Sequence, residues 1–341
     1  MKTAWKDAFL RFQEQANFSG DMSFDEPMSE HTTFRIGGPA DLWIRPSGDC
    51  FAQYACALLQ FSRERGIPLF MLGGGANILV ASRGMRGIVL DTGFYAGMEI
   101  ASRIPNSWSW EKIADNKSAG DPCIEGSGEA PFAHVQAGLT MDALVDRAAE
   151  HGFGGVEFLA GMPGSIGGAI WMNARCLEVS MSDVLAAVEI IDEDFAFRLV
   201  PVDQQDYSYK KSPFQGRSSL ILGGYIRGYP RSPQDIQGDI AALRQDRVEK
   251  GHFRAPSAGS AFKNNRDFGK PTGMIIHEMG LRGFSIGGAQ VAPWHGNFII
   301  NNGDASAEDV RNLVSALQRM VYSAQGFALE PEILFVGEWE A

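Results

Sequence analysis

The chain has 341 residues, 45% of them hydrophobic and 21% charged, with a formal net charge of −11. That length exceeds what one core usually serves, so two or more domains are expected. The acidic balance argues against a general nucleic-acid binder, which needs a basic field, but leaves room for a local basic pocket holding a phosphorylated small molecule.

Trp5, Phe9 and Phe12 recur at helical spacing, so the spacing predicts a short amphipathic helix over 3–16. The run EPMSEHTTFRIGGPADLWIRP (26–46) passes from a polar turn through a bend at Gly37-Gly38-Pro39 into a strand at Leu42-Trp43-Ile44. A helix follows near 50–65, with Phe51, Tyr54, Ala55, Leu58 and Leu59 on one face and Gly66 as its stop. IPLFML (67–72) reads as a buried strand that runs straight into Gly73-Gly74-Gly75-Ala76-Asn77. Ile78 stands where the third glycine of a dinucleotide fingerprint belongs, and strand-like IVLDT (88–92) follows, so the Rossmann reading fails. Two readings of the loop remain: a phosphate cradle built from backbone N–H groups, or a tight hairpin.

Residues 101–130 hold turn formers without a sustained period and read as a surface excursion. Val135–Gly138 ends a strand, and Thr140 caps a helix over 141–151 that Gly152 closes. Then comes GGVEFLAGMPGSIGGAIWMNA (154–174), with glycines too dense for an ordinary helix or strand. Pro163 presets a turn position beside Gly164. Ser165, Gly167 and Gly168 offer backbone N–H groups and a hydroxyl, the makings of an anion-binding concavity. A buried turn packed under a sheet explains the same glycines. DVLAAVEIIDEDFAFRLVPV gives two strands around an acidic turn, and LILGGYIRGY gives another.

Near residue 230 a polar helix, DIQGDIAALRQDRVEKG, opens a second domain. The small polar loop RAPSAGSAFKNN (254–265) is followed by a helix, a glycine bend and a strand through TGMIIHEMGLRGFSIGGAQVAP and GNFIINNG. Ser306 and Asp309 make a capping-box-like start. Val310, Leu313, Val314, Leu317, Met320 and Val321 form the core stripe of that helix, closed by Gly326. LEPEILFVG is read as a final strand carrying Glu330 and Glu332. The four cysteines, Cys50, Cys56, Cys123 and Cys176, show neither CxxC pairing nor metal-ligand spacing, so reduced thiols and no metal site are expected. The N-terminus lacks the apolar core of a secretory signal and no run is fit to span a bilayer, so a cytoplasmic, membrane-free protein is expected.

In order, HTTFRIGGPADLW, LGGGANILV, EFLAGMPGSIGGAIWMNA, YKKSPF, PSAGSAFKN, GLRGFSIGGAQV with NFIIN, and LEPEILF resemble the UDP-N-acetylenolpyruvoylglucosamine reductase family over about 26–336. The stretch between Phe214 and Pro256 is similar to the shorter subtype, which lacks an extra substrate-covering loop. The resemblance implies an α+β architecture: an FAD-binding domain of the vanillyl-alcohol-oxidase type over 26–230 after an N-terminal helix (1–25), then a substrate-binding domain over 231–338. It implies that FAD is held by Gly73, Gly74, Gly75, Ala76 and Asn77, by Gly161, Met162, Pro163, Gly164, Ser165, Gly167 and Gly168, and by Arg35. Ala76 stands where serine is common.

The implied reaction passes hydride from NADPH to the flavin and then to C3 of the enolpyruvyl group of UDP-N-acetylglucosamine enolpyruvate, leaving a carbanion at C2 that spreads into the carboxylate. Ser260, in SAGS, matches the family's proton donor to C2. Glu332, the second glutamate of LEPE, matches the carboxyl group that polarises the substrate carboxylate; protonated in an enclosed site, it donates a hydrogen bond. The family usually has tyrosine–arginine where this chain has Tyr209-Lys210, so Lys210, or Lys211 if the backbone shifts, takes over stabilisation of the enolate. Loss of the guanidinium fork costs about 1–3 kcal/mol. Arg247 and Lys250 match basic residues expected at the substrate diphosphate, and Tyr209 and Asn264 complete the substrate set. Arg175-Cys176-Leu177 departs from a small, glycine-containing family run, and Arg175 either adds charge near the flavin loop or faces solvent. A monomer without nucleic-acid or membrane partners is expected. The competing readings are another sugar or alcohol oxidoreductase on the same flavin fold, and a non-catalytic flavin- or UDP-sugar-binding relative.

Overall fold

In the computed structural model, which describes residues 5–16, 18–105, 123–125 and 131–340, the expected helices and strands form an α+β protein. By internal compactness the chain divides into two units that interleave in sequence. The first comprises Met1–Met22, Ile44–Gly73 and Leu90–Arg244, and the second Ser23–Trp43, Gly74–Val89 and Gln245–Ala341.

In the first unit the aromatic spacing of the N-terminal segment does what amphipathic spacing predicts. Phe9 and Phe12 of the Lys6–Gln15 helix meet Phe61 of the Phe51–Glu64 helix at ring-centroid distances of 5.9 and 4.8 Å. A five-stranded sheet runs in the order Phe197–Pro201, Leu185–Ile191, Leu220–Arg227, Phe132–Gln136, Met98–Ala101. Its central pairings are antiparallel, with Val188 opposite both Val200 and Gly224. Every residue of Leu185–Ile191 is buried, as an apolar run covered on both faces must be. The Met141–Glu150 helix lays Leu144, Val145 and Ala148 into the same core, and the Thr140 hydroxyl accepts from the Ala143 amide at 3.1 Å to cap it. Of the 101–130 excursion, Arg103–Pro105 pairs antiparallel with Cys123–Glu125, and the stretches 106–122 and 126–130 lie outside the described residues.

One polar group interrupts that core. Glu189, fully buried in the Leu185–Ile191 strand, accepts from the His134 ring at 2.9 Å, and the imidazole stacks on Tyr225 at 4.8 Å. Burial disfavours the imidazolium, but the charge and hydrogen bond of Glu189, with the charge of Glu99, outweigh it and hold His134 above the ordinary histidine value. A raised folded-state value means that the pair's stabilisation is complete below the unfolded histidine pKa and is lost as pH rises through the folded one. Thermal unfolding followed from mildly acidic to alkaline pH is therefore expected to show a decline in wild type that His134→Gln flattens. Parallel profiles would mean that the pair stays unionised throughout.

The second unit holds a four-stranded antiparallel sheet in the order Ser257–Ser260, Phe298–Asn301, Ala289–Val291, Ser285–Ile286. The Ala307–Gln325 helix begins at the expected Ser306–Asp309 capping box and ends at Gly326, whose φ is +79°. Its Val310, Leu313, Val314, Leu317 and Val321 are buried in the core, while Met320 is half-buried. Ile78–Val80 pairs in parallel with Leu334–Val336, placing Ile78 opposite Leu334 and Val80 opposite Val336. The hairpin reading of 73–77 fails on that pairing, because the strand after the glycines finds its partner at the far end of the sequence. Glu330 and Glu332 also precede the last strand rather than lying on it, since regular pairing starts only at Leu334. Among the described residues no helix is long and apolar enough to cross a membrane.

Candidate active site

In the first unit, the glycine stretch is built around a short helix. Gly161 and Gly164 take φ of +67° and +114°, which glycine tolerates at little cost. The Gly161 amide donates to the Asp142 carboxylate at 2.8 Å, and the Met162 amide donates to the Leu159 carbonyl at 3.0 Å. Pro163 carries no amide hydrogen. Ser165 then caps a helix over Ile166–Met172, which Asn173 ends in the left-handed conformation at φ 45°. The glycine density suggested neither helix nor strand, and this helix corrects that reading. Its physical reason is contact: a Cβ on Gly167 would fall 2.9 Å from the Ala137 Cβ, so glycine lets the helix lie against the strand exit.

The same packing uses up donors expected to be free. The Gly167 amide donates to the Ala137 carbonyl at 2.8 Å, and the Gly168 amide faces the Ser165 hydroxyl at 3.5 Å. The amides of Gly164 and Ser165 have no acceptor among the described residues. Gly73 closes on this loop, for a Cβ there would lie 2.2 Å from the Ser165 Oγ.

The YKKSPF motif belongs to the same unit and is a clamped turn. Ser208 and Lys211 exchange backbone hydrogen bonds of 3.2 and 3.0 Å, with Tyr209 and Lys210 at the corners. Lys210 sits at φ +59°, a conformation that costs a non-glycine residue about 1 kcal/mol. Three bonds hold it: Asn173 Nδ2 to the Ser208 carbonyl at 3.0 Å, Gln215 Nε2 to the Lys210 carbonyl at 3.1 Å, and the Ser212 hydroxyl to the Trp171 carbonyl at 2.7 Å. The Lys210 ammonium lies 5.9 Å from the centre of the Tyr209 ring. Arg175 is ion-paired with Glu178 across a small hairpin whose tip, Leu177, is exposed. The Arg175 side chain is itself half-buried.

The second unit carries the other glycine loop. Gly75 has φ +60°, and a Cβ on it would fall 2.1 Å from the His31 carbonyl oxygen. The four consecutive amides of Gly74, Gly75, Ala76 and Asn77 have no acceptor among the described residues. Asn77 uses its side chain instead, donating from Nδ2 to the Glu332 carbonyl at 3.0 Å. Arg35 is exposed at a left-handed corner with φ +54°.

Ser260 and Glu332 lie on adjoining segments of this unit. The Glu332 amide donates to the Ala261 carbonyl at 2.8 Å, the Lys263 amide donates to the Glu330 carbonyl at 2.9 Å, and Phe262 faces Pro331 between them. Asn297, from the NFIIN motif, pins the same segment. Its Oδ1 accepts from the Phe262 amide at 3.0 Å, its Nδ2 donates to the Phe262 carbonyl at 2.8 Å, and its carbonyl accepts from the Ala261 amide at 2.7 Å. The Thr33 hydroxyl donates to the Ser257 carbonyl at 2.7 Å. Ser260 is half-buried and Glu332 buried.

The Asn264 side-chain oxygen accepts from the Thr272 amide, the first of the Thr272–Glu278 helix, at 2.9 Å. Lys250 pairs with Asp246 at 2.7 Å on an exposed stretch. Nearby His252, which sequence patterning did not single out, is pushed down to about 4 by burial and by the charge of Arg247. Asn173, Asn297, His31 and Asp142 were likewise missed, because each acts on a segment distant in sequence.

Residues 251–336 match the family described as "UDP-N-acetylenolpyruvoylglucosamine reductase, C-terminal domain", and residues 121–194 match "FAD binding domain". The UDP-N-acetylenolpyruvoylglucosamine reductase of Treponema denticola is 37% identical over 332 residues, covering 94% of this chain and 95% of that protein. The chain belongs to the UDP-N-acetylenolpyruvoylglucosamine reductase family. The member from Treponema pallidum is 36% identical, with 92% of each chain covered. The crystal structure of the Thermus caldophilus reductase superposes with a TM-score of 0.68 at 28% identity, covering 93% of this chain and 99% of that one.

The donors left over by the fold suit the cofactor that an FAD-binding domain implies. A flavin dinucleotide presents an anionic pyrophosphate, and runs of unpartnered backbone amides bind such groups without lysines. The amides of Gly74–Asn77 and of Gly164 and Ser165 are groups of this kind, so the net-acidic composition is compatible with the family.

Proposed function

We propose that the protein is a reductase that uses NADPH and bound FAD to convert UDP-N-acetylglucosamine enolpyruvate into UDP-N-acetylmuramate for peptidoglycan precursor synthesis, acting as a cytoplasmic monomer. Membership of the family over nearly the whole chain carries this reading. FAD supplies the hydride relay between donor and substrate. The backbone amides of Gly74–Asn77, Gly164 and Ser165 hold its pyrophosphate, with Gly73, Gly161, Met162, Pro163, Gly167, Gly168 and Arg35 completing the cofactor set. Substrate-binding roles fall to Tyr209, from the FAD-binding domain (26–230), and to Arg247, Lys250 and Asn264, from the substrate-binding domain (231–338).

The chain's own chemistry lies in three side chains. Hydride addition at C3 leaves charge at C2 and on the adjoining carboxylate, so a proton donor and stabilisers of the enolate are required. Ser260 holds the proton that C2 receives. A hydroxyl is a weak acid, but a carbanionic carbon is basic enough to take its proton. Glu332 hydrogen-bonds the substrate carboxylate, and Lys210 balances the enolate charge as a point charge rather than a fork. The clamped turn that carries Lys210 supports this role by fixing the backbone from which the ammonium reaches.

The direct test mixes the purified yellow protein with NADPH and follows flavin absorbance. Bleaching by NADPH, then recovery on adding the enolpyruvyl UDP-sugar, is the expected result. Bleaching that the sugar cannot reverse would overturn the proposal. Lys210→Arg is expected to keep turnover or raise it by up to about tenfold, the value of one charge-assisted bond. A tenfold fall in kcat would mean that the turn has been rebuilt around lysine.

A further inference from the structure

Gly161 opens the glycine stretch, and its amide is the point at which a charged chain from another helix reaches the loop. Asp142, in the first turn of the Met141–Glu150 helix, places Oδ1 2.8 Å from that amide. The same oxygen accepts from Arg244 Nε at 3.2 Å and Nη2 at 3.0 Å, and Nη2 also reaches Asp146 Oδ2 at 2.9 Å. Arg244 belongs to the Pro233–Glu249 helix, which carries Arg247 three residues further on.

We propose that Asp142 and Arg244 are positioning residues for the cofactor loop. Asp142 fixes the entry of the Gly161–Ser165 turn so that the Gly164 and Ser165 amides stay clear of protein acceptors, and Arg244 holds Asp142 in place. The inference rests on the reading of this loop as an FAD site, and it adds the residues that set the loop's conformation.

Three features separate this arrangement from an ordinary surface ion pair. The Asp142 oxygen is shared between a guanidinium and a backbone amide, and a charged acceptor makes the amide bond stronger than a neutral one would. The residue it holds is left-handed, with φ +67°, so the turn departs from extended or helical backbone where the bond is made. The loop amides on either side of Pro163 divide the work: Gly161 and Met162 are tied to the protein, whereas Gly164 and Ser165 have no acceptor among the described residues. An isolated exposed pair contributes little to stability, so the effect is expected in the cofactor loop rather than in the melting temperature.

The test strips FAD from wild-type protein and from Asp142→Ala, Asp142→Asn and Arg244→Met, then titrates FAD back while following quenching of flavin fluorescence. The thermal midpoint of each apoprotein is measured in parallel. Asp142→Ala is expected to raise the FAD dissociation constant about tenfold with little change in apoprotein melting. Asp142→Asn, which keeps an oxygen for the Gly161 amide, is expected to recover most of that loss, and Arg244→Met to fall between. An Asp142→Ala dissociation constant within twofold of wild type overturns the proposal. So does a loss matched by an equal drop in apoprotein stability, which would mark a purely structural bond. If Asp142→Ala does not fold, Asp142→Asn and Arg244→Met decide by the same measure: unchanged FAD affinity in both overturns it. Wild-type apoprotein that takes up no FAD would instead overturn the cofactor reading itself.

Discussion

Ser260→Ala is expected to leave reduction of the bound flavin by NADPH unchanged while slowing its reoxidation by the enolpyruvyl substrate about 100- to 10,000-fold. That range is the usual contribution of one positioned proton donor. The change removes one oxygen from a segment whose backbone is held by other residues: Asn297 bonds Ala261 and Phe262, Glu332 bonds Ala261, and Thr33 bonds Ser257. The fold at this point should therefore survive, and the loss should be confined to protonation of C2. Rapid-mixing absorbance at the flavin band separates the halves, because NADPH and the UDP-sugar are added in turn. Equal losses in both would show that the serine positions the cofactor instead of donating to the substrate.

Gly75→Ala should be the most damaging single methyl group in the glycine loops. The new Cβ would stand 2.1 Å from the His31 carbonyl oxygen in a backbone with φ +60°. Relief by movement is blocked, because the His31 ring stacks on Trp43 at 4.6 Å and bonds Glu26 at 2.9 Å. Overpacking and left-handed strain together destabilise by about 2–4 kcal/mol. They also turn the neighbouring amides, so the variant should purify colourless or lose its flavin on dilution. The ratio of flavin to protein absorbance and the melting temperature measure both effects. Gly73→Ala provides the contrast, since its one clash, at 2.2 Å, is with the Ser165 hydroxyl, a side-chain atom rather than backbone, and its φ is not left-handed. A yellow Gly75→Ala protein with wild-type melting would show that the loop has slack that this geometry lacks.

The elements that could be read ahead of the structure are those set by local physics. The Ser306 cap, the stripe from Val310 to Val321 and the Gly326 stop lie within one helix, and the structure has all three. The Thr140 cap and the apolar Leu185–Ile191 strand are of the same sort. What escaped is pairing across long separations. Nothing local tells Ile78 that its neighbour will be Leu334, or Asn77 that its side chain will bond the Glu332 carbonyl. Glycine density also misled where tertiary contact overrode propensity: Gly167 counts against a helix in isolation, yet it lets this helix lie on Ala137. At the candidate site, the ordered motifs named the loops, while the supports beneath them, Asp142, Asn173 and Asn297, come from segments that sequence patterning treats as unrelated.

The pairing of Ile78–Val80 with Leu334–Val336 bears on how the protein matures during synthesis. The Ile78–Val80 strand must wait for one made more than 250 residues later, a delay of roughly 10–50 s at ordinary elongation rates. Until then the Gly74–Asn77 turn has only its N-terminal flank in place, and the nascent polypeptide should be unable to retain flavin. With the flavin on this turn, as proposed, cofactor capture should follow synthesis of Leu334–Val336, and ribosome-stalled chains ending before Leu334 should emerge without colour.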